Sequence, residues 1–185
     1  YLNAEVIIMR TVGIVGLGLI GGSFAKAYSL EEDWRVLAYD KVEAVNRMAE
    51  IAGDIDGILT EENIGECDLL IVATYPQATI DYVEHMAPLI SRDAMVMDIC
   101  GVKSYICNVL FELADQYGFT YVGGHPMAGT QYSGYKHSDA RLFVGAPMVI
   151  VPKTYDDISL YMRVKDLLAP AGFARFTVST AEEHD

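Results

Sequence analysis

The amino-acid sequence predicts an α/β fold, a doubly wound, mostly parallel sheet with helices on both faces. Three observations carry the prediction. Apolar runs of strand length alternate with segments of helical period, most of those runs are apolar at successive positions, and no repeat or low-complexity stretch interrupts the alternation. A strand covered by helices on both faces needs apolar side chains on both. Strands of that kind alternating with helices form parallel βαβ units.

Residues 1–8 precede Met9 and the first core strand and are expected to be an N-terminal extension. Strand-like runs follow at residues 11–15, 35–39, 69–73, 94–99, 119–122, 147–151 and 174–178. A first helix is expected over 19–30, directly after a glycine-rich turn. A later one carries Ile80, Val83, Ala87 and Ile90 at helical spacing behind Pro76, which suits a first helical position because its missing N–H has no partner there. Another carries Ile106, Val109, Leu110, Leu113 and Tyr117 on one face, and a last one spans 158–168. Residues 123–145 fit neither period, are rich in Gly, His, Ser and Tyr, and are expected to form a long loop. Loops of that length inside a compact domain are usually functional.

Composition excludes whole classes of function. With 13 Lys+Arg against 26 Asp+Glu the net charge is -13, and the absence of a basic stripe argues against a nucleic-acid partner. No apolar run reaches the roughly 18 uncharged residues of a membrane span, so no membrane partner and a cytoplasmic location are expected. Cys67, Cys100 and Cys107 are odd in number and lack C-x-x-C spacing, which suits buried reduced thiols and no metal site. Among 185 residues there is room for one domain with its own core.

After the first strand comes Gly16-Leu17-Gly18-Leu19-Ile20-Gly21, opening a helix. Gly16 would make the tight turn, Gly18 would let the backbone approach a pyrophosphate, and Gly21 would pack helix on strand. Anionic phosphates would then meet free N–H groups at the helix start, around Leu19 and Ile20. Asp40 ends the next strand, where an acidic side chain can accept hydrogen bonds from both adenosine ribose hydroxyls. It would repel a 2′-phosphate, which favours NAD over NADP, although the neighbouring cation Lys41 softens that repulsion. Thr74 and Tyr75 end the third long strand and should border the cofactor, since ligands of such sheets bind outside the carboxyl ends of the strands. Together these features sharpen the fold class to Rossmann-type.

A second cluster, Gly124-His125-Pro126-Met127-Ala128-Gly129-Thr130, follows another strand and would place His125 in the same crevice. Oxidation of an alcohol carbon requires polarisation of its hydroxyl proton, a task for an imidazole titrating near neutrality. Combined with the glycine loop and Asp98-Ile99-Cys100-Gly101-Val102-Lys103, this stretch resembles the prephenate and arogenate dehydrogenases of tyrosine biosynthesis, from about Met9 to the end of the chain.

The resemblance implies NAD-dependent oxidative decarboxylation of prephenate to 4-hydroxyphenylpyruvate, with His125 as the catalytic histidine on the substrate's 4-hydroxyl. It implies a phosphate loop at Gly16, Gly18 and Gly21, a ribose acid at Asp40, and substrate-lining residues at Thr130 and Gln131. Gly101 falls on the nicotinamide side, where many members carry a serine whose hydroxyl contacts the histidine. This chain lacks that hydroxyl, so another group or a water must orient His125, and Ser104 is the nearest candidate in sequence. Gln131 replaces an acid common in the family, which removes any pH gating by that acid.

Lys103 could help anchor the pocket electrostatically, but the favoured expectation is a solvated lysine at a helix start. His85 should face solvent, His137 belongs to the long loop and could approach substrate, and Tyr132, Tyr135 and Phe143 could cover the active site but are rather expected to pin that loop to the domain. The segment Thr180-Ala181-Glu182-Glu183 has the form of a capping box, with Thr180 as N-cap and Glu183 at the third helical position. The expected organisation is an extension at 1–8, a NAD-binding domain at 9–179, and at 180–185 the start of a helical domain through which the family forms a homodimer. His184 is expected to belong to that helix start rather than to catalysis, and the chain alone is expected to bind NAD with little turnover. Arogenate oxidation, a non-catalytic NAD(H)-binding regulatory module and a β-hydroxyacid dehydrogenase remain the alternative readings.

Overall fold

The computed structural model describes residues 7–185, so residues 1–6 of the expected extension lie outside the described residues. Eight strands form one sheet in the order β3-β2-β1-β4-β5-β6-β7-β8. They are β1 (Arg10–Val15), β2 (Trp34–Tyr39), β3 (Gly57–Ile58), β4 (Leu69–Val72), β5 (Met95–Asp98), β6 (Thr120–Pro126), β7 (Pro147–Val151) and β8 (Arg175–Val178). Every neighbouring pair is parallel except β6 and β7. All seven strand-like runs of the sequence therefore appear, in a mostly parallel sheet.

The helices are α1 (Leu19–Ser29), α2 (Glu43–Ala52), α3 (Pro76–Met86), α4 (Ser104–Tyr117), α5 (Ile158–Leu167) and α6 (Ala181–His184). One face of the sheet packs against Phe24 and Tyr28 of α1, Ala49 of α2 and Val164 and Leu167 of α5. The other face packs against Ile80 and Val83 of α3 and Ile106 and Leu110 of α4. Two cores, one on each face, are what strands apolar on both sides require. Fully burying such side chains contributes about 1.5–3 kcal/mol each.

Chain order and sheet order diverge at β1, which lies between β2 and β4. The connection leaving β1 runs to β2 on one side, whereas the chain returns from β3 past β1 to β4 on the other, and the crevice at the carboxyl ends of β1 and β4 is where such sheets bind ligands. Two elements escaped the sequence reading: α2, largely exposed, and the two-residue β3 that follows it.

The expected loop at 123–145 needs correction at its start. Strand β6 continues through Gly123, Gly124, His125 and Pro126, which pair antiparallel with Val151 to Met148 of β7. Gly123 and Gly124 hide the strand from a propensity reading, yet a Cβ at Gly124 would lie 2.8 Å from Met148 Cε and 2.9 Å from the Asp98 carbonyl. Glycine there marks close packing within the sheet rather than a loop. Two of the three loop aromatics pin the remainder of the segment as expected: Phe143 is buried and stacks on Phe24 at 4.2 Å, and Tyr135 is buried with its hydroxyl donating to Asp54. Tyr132 is exposed and stacks on His137 at 4.9 Å.

Candidate active site

The glycine loop sits at the carboxyl end of β1, and each glycine meets a different constraint. Gly16 has φ +87°, a left-handed conformation that L side chains rarely adopt, and a Cβ there would lie 2.4 Å from the Ala73 carbonyl. At Gly21 a Cβ would lie 1.7 Å from the Gly16 carbonyl, so only glycine lets α1 approach the turn. Gly18 is the opposite case, with nothing within 4 Å of the Cβ position. The backbone there faces open space at the N-terminus of α1, whose N-cap makes no side-chain bond and whose first turn carries no acidic residue. Free N–H groups and the helix dipole make this end a cradle for an anion.

Asp40 lies just past β2, and its carboxylate accepts from the Leu17 N–H at 2.8 Å and the Val42 N–H at 2.9 Å. Each oxygen retains a lone pair. On the far side of the crevice, the Thr74 hydroxyl is bonded to that of buried Thr79 at 2.7 Å, and Tyr75 is 88% exposed. These residues could hold a nucleotide, with phosphates on the α1 N-terminus, ribose toward Asp40, and Thr74 and Tyr75 along the rim.

His125 is half-buried at the carboxyl end of β6. A Cβ at Gly101 would lie 3.8 Å from its Cε1 and Nε2, so position 101 does abut the imidazole. The other ring nitrogen, Nδ1, is 2.8 Å from Nε2 of His184. His184 is in turn bonded through Nδ1 to Asp185 Oδ1 at 3.1 Å, and the Asp185 carboxylate accepts the Lys103 and Ser104 N–H groups at 2.7 and 2.8 Å, capping α4. These bonds hold the Asp185 carboxyl well below the usual carboxylate range. Burial, followed by the charges of His184 and Lys103, lowers the His125 pKa from its ordinary value, against a smaller opposing effect of Asp98.

Two expectations are overturned here. Lys103 is not a solvated lysine: its side chain and that of Asp98 are both 0% exposed and form an ion pair at 2.5 Å. Asp98 also accepts from the Tyr121 hydroxyl at 2.6 Å and the Cys100 N–H at 2.9 Å, so the buried charge is fully partnered. Burial foremost, with the adjacent Asp98, pushes the Tyr121 hydroxyl well up, and burial raises the Cys100 and Cys107 thiols to about 11, keeping them protonated. Ser104 does not orient His125. Its backbone N–H donates to Asp185, and His184 takes the imidazole instead.

Other candidates fall where expected or stand apart. Thr130 and Gln131 are exposed, Thr130 closing a local turn with Tyr132, and among the described residues neither is hydrogen-bonded to His125. His85 is exposed and bonded to Glu61. All three cysteines are buried and free, and among the described residues no cluster of metal-ligating side chains occurs and no helix is long and apolar enough to cross a membrane. A concavity lined by Phe111, Lys153, Leu160 and Arg163 contains neither His125 nor any residue of the glycine loop.

Comparison with known proteins gives the arrangement a context. The family model described as the nucleotide-binding domain of prephenate dehydrogenase matches residues 25–177. The chain belongs to the prephenate dehydrogenase family. It is 29% identical over 180 residues to a prephenate dehydrogenase of Lactococcus lactis, covering 96% of this chain and 48% of that protein. It is similar to the structure of prephenate dehydrogenase from A. aeolicus in complex with hydroxyphenyl propionate and NAD+, with a TM-score of 0.82, 27% identity, and coverage of 97% of this chain and 63% of that one. It is equally similar in fold to the Synechocystis arogenate dehydrogenase, at a TM-score of 0.82 and 27% identity over 95% of this chain and 61% of that one. The chain thus spans about half to three-fifths of these relatives' lengths.

The residues that sequence reasoning missed are those whose partners are remote in sequence. His184 and Asp185 reach the site from 59 and 82 positions away from His125 and Lys103. A signal existed: the capping box over Thr180 and Glu183 is formed as predicted, which fixes α6 and so the direction of His184.

Proposed function

We propose that this chain is the NAD-binding, histidine-bearing part of a prephenate dehydrogenase, oxidising the ring carbinol carbon of prephenate with loss of CO₂ to give 4-hydroxyphenylpyruvate. The single observation that carries the reading is the placement of His125. It stands at the carboxyl edge of the sheet beside Gly101, in a fold whose open glycine cradle at Gly18 suits a dinucleotide. Bound there, NAD⁺ supplies the hydride acceptor. Nε2 of His125 accepts a hydrogen bond from the 4-hydroxyl and holds its proton as the carbinol C–O bond gains carbonyl character. The proton returns to the phenolic oxygen as loss of the ring carboxylate as CO₂ aromatises the ring. Aromatisation supplies the driving force, so the protein's work is alignment and stabilisation of developing charge.

Asp40 supports NAD over NADP, because its carboxylate is already fixed by Leu17 and Val42 at the ribose end of the cradle and would oppose a 2′-phosphate. The test is turnover by the full-length protein with prephenate or arogenate and NAD⁺ or NADP⁺ in all four combinations. Prephenate with NAD⁺ is expected to give the highest kcat/KM, and preference for arogenate would reassign the substrate. His125→Asn should lower kcat by at least about 10²-fold while NAD⁺ affinity barely moves. An unchanged kcat would remove His125 from the chemistry.

A further inference from the structure

The hydrogen bonds behind His125 form a one-way chain. Asp185, ionised and acceptor-only, faces Nδ1 of His184 at 3.1 Å, so that nitrogen must carry a hydrogen. In neutral His184 the remaining nitrogen, Nε2, is then an acceptor. It faces Nδ1 of His125 at 2.8 Å, so the His125 hydrogen must sit on Nδ1 and the lone pair on Nε2. Nε2 is the nitrogen beside Gly101, toward the open side of the site.

We propose that His184, held by Asp185, is a positioning residue that fixes His125 in the Nδ1–H tautomer and so presents Nε2 as the proton acceptor. The role rests on the reading of His125 as the base. It answers the loss of a hydroxyl at position 101, since an imidazole with no partner at Nδ1 is free to rotate and to put its hydrogen on Nε2, where it cannot accept a proton. The geometry is built in: Asp185 is tied to the N-terminus of α4 through the Lys103 and Ser104 N–H groups, and the side chain of His184 is only 9% exposed. As His125 takes up a proton, its Nδ1–H bond to His184 is retained and the new charge is shared toward Asp185. The other charged groups facing His125 are Lys103 and Asp98, which neutralise each other beneath it.

The test reads the tautomer directly. In full-length protein labelled with ¹⁵N-histidine, with the His125 signals assigned through His125→Asn, nitrogen chemical shifts above the imidazole titration should report hydrogen on Nδ1 of His125. His184→Leu should move it to Nε2 and lower kcat by about 10-fold or more, part of the 10²- to 10⁴-fold that a positioned base contributes, with KM for NAD⁺ within about 2-fold. His184→Gln, whose amide oxygen can accept from Nδ1–H, should restore both the tautomer and most of kcat, and it reports alone if the Leu variant does not fold. A wild-type His125 protonated on Nε2, or a tautomer and kcat indifferent to His184, overturns the proposal. Tautomers that respond as expected in a protein that oxidises neither prephenate nor arogenate would instead refute the proposed function and leave the His184 assignment standing.

Discussion

Gly18→Ala should separate folding from cofactor binding, because the two glycines flanking this position fail for one reason and Gly18 for another. At Gly18 the backbone angles are φ −80° and ψ −153°, open to alanine, and nothing lies within 4 Å of the added methyl. Removing a glycine from the unfolded chain stabilises by about 0.4–1 kcal/mol, while alanine is a poorer N-cap than glycine by a comparable amount. The net change in stability should lie within about 1 kcal/mol, a shift in Tm of no more than about 4 °C for a domain of this size. The methyl does, however, occupy the space a pyrophosphate must enter. Losing two charge-assisted bonds from backbone N–H groups, at about 1.5–3 kcal/mol each, should weaken NAD⁺ binding by about 10²- to 10⁴-fold. Thermal unfolding and titration calorimetry with NAD⁺ on the same preparation provide both numbers. Gly21→Ala, with its methyl 1.7 Å from the Gly16 carbonyl, should lose stability as well as binding. Undiminished NAD⁺ affinity in Gly18→Ala would refute the placement of the phosphates on the α1 N-terminus.

Three further outcomes follow from the same structure. Lys103→Met leaves Asp98 ionised, buried and short of its cation, and should cost about 3–5 kcal/mol in urea unfolding, whereas replacing both partners by apolar residues should cost much less. Asp40→Ser removes the charge opposing a 2′-phosphate and should shift the ratio of kcat/KM for NADP⁺ over NAD⁺ upward by about 10-fold or more, with an unchanged ratio denying Asp40 its role. The lowered pKa of His125 means that its neutral, proton-accepting form persists to more acid pH, so the acid limb of kcat/KM should lie below the ordinary imidazole range. The same shift makes the unfolded chain the better proton binder, so stability should fall as pH drops from that ordinary value toward the lower value of His125 in the fold.

Much of the fold was legible because its signals are local. Runs such as Leu69–Val72 and Met95–Asp98 are apolar at every or nearly every position, and burial on both faces is the condition that makes them so. The stripe through Ile80 and Val83, and that through Ile106 and Leu110, named the core-facing sides of α3 and α4 correctly. The failures are equally physical. Helix α2 carries Val45, Met48, Ala49 and Ala52 at helical spacing, but Met48 and Ala52 are exposed and only Asn46 and Ala49 of its ten residues are buried, so its short stripe is scarcely engaged by the core. The end of β6 is a Gly-Gly-His-Pro sequence that no propensity assigns to a strand, and it is held there by pairing with β7 and by close packing against Met148 and Asp98. Contacts between segments far apart in sequence decided that boundary.

The same division runs through the site. The glycine loop was legible because its spacing is a local pattern, in which Gly16 and Gly21 answer backbone constraints and Gly18 leaves open space, and Asp40 because its distance from that loop is set by one helix and one strand. Lys103 was not, since a lysine at a helix start is ordinarily solvated and only its pairing with Asp98, five positions earlier on β5, reverses that reading. The sign of its contribution reverses too. A solvated lysine would add a free positive charge to a pocket for an anionic substrate, whereas the buried pair is close to neutral and works instead by holding β5 and the start of α4 together. That start is where Asp185 is anchored, and Asp185 anchors His184. Disturbing the buried pair should therefore reach His125 through α4 and α6 rather than through a change in field at the substrate. A Lys103 variant that stays folded should lose kcat with little change in the salt dependence of KM, and a steep change in that salt dependence would show that Lys103 acts as a charge after all.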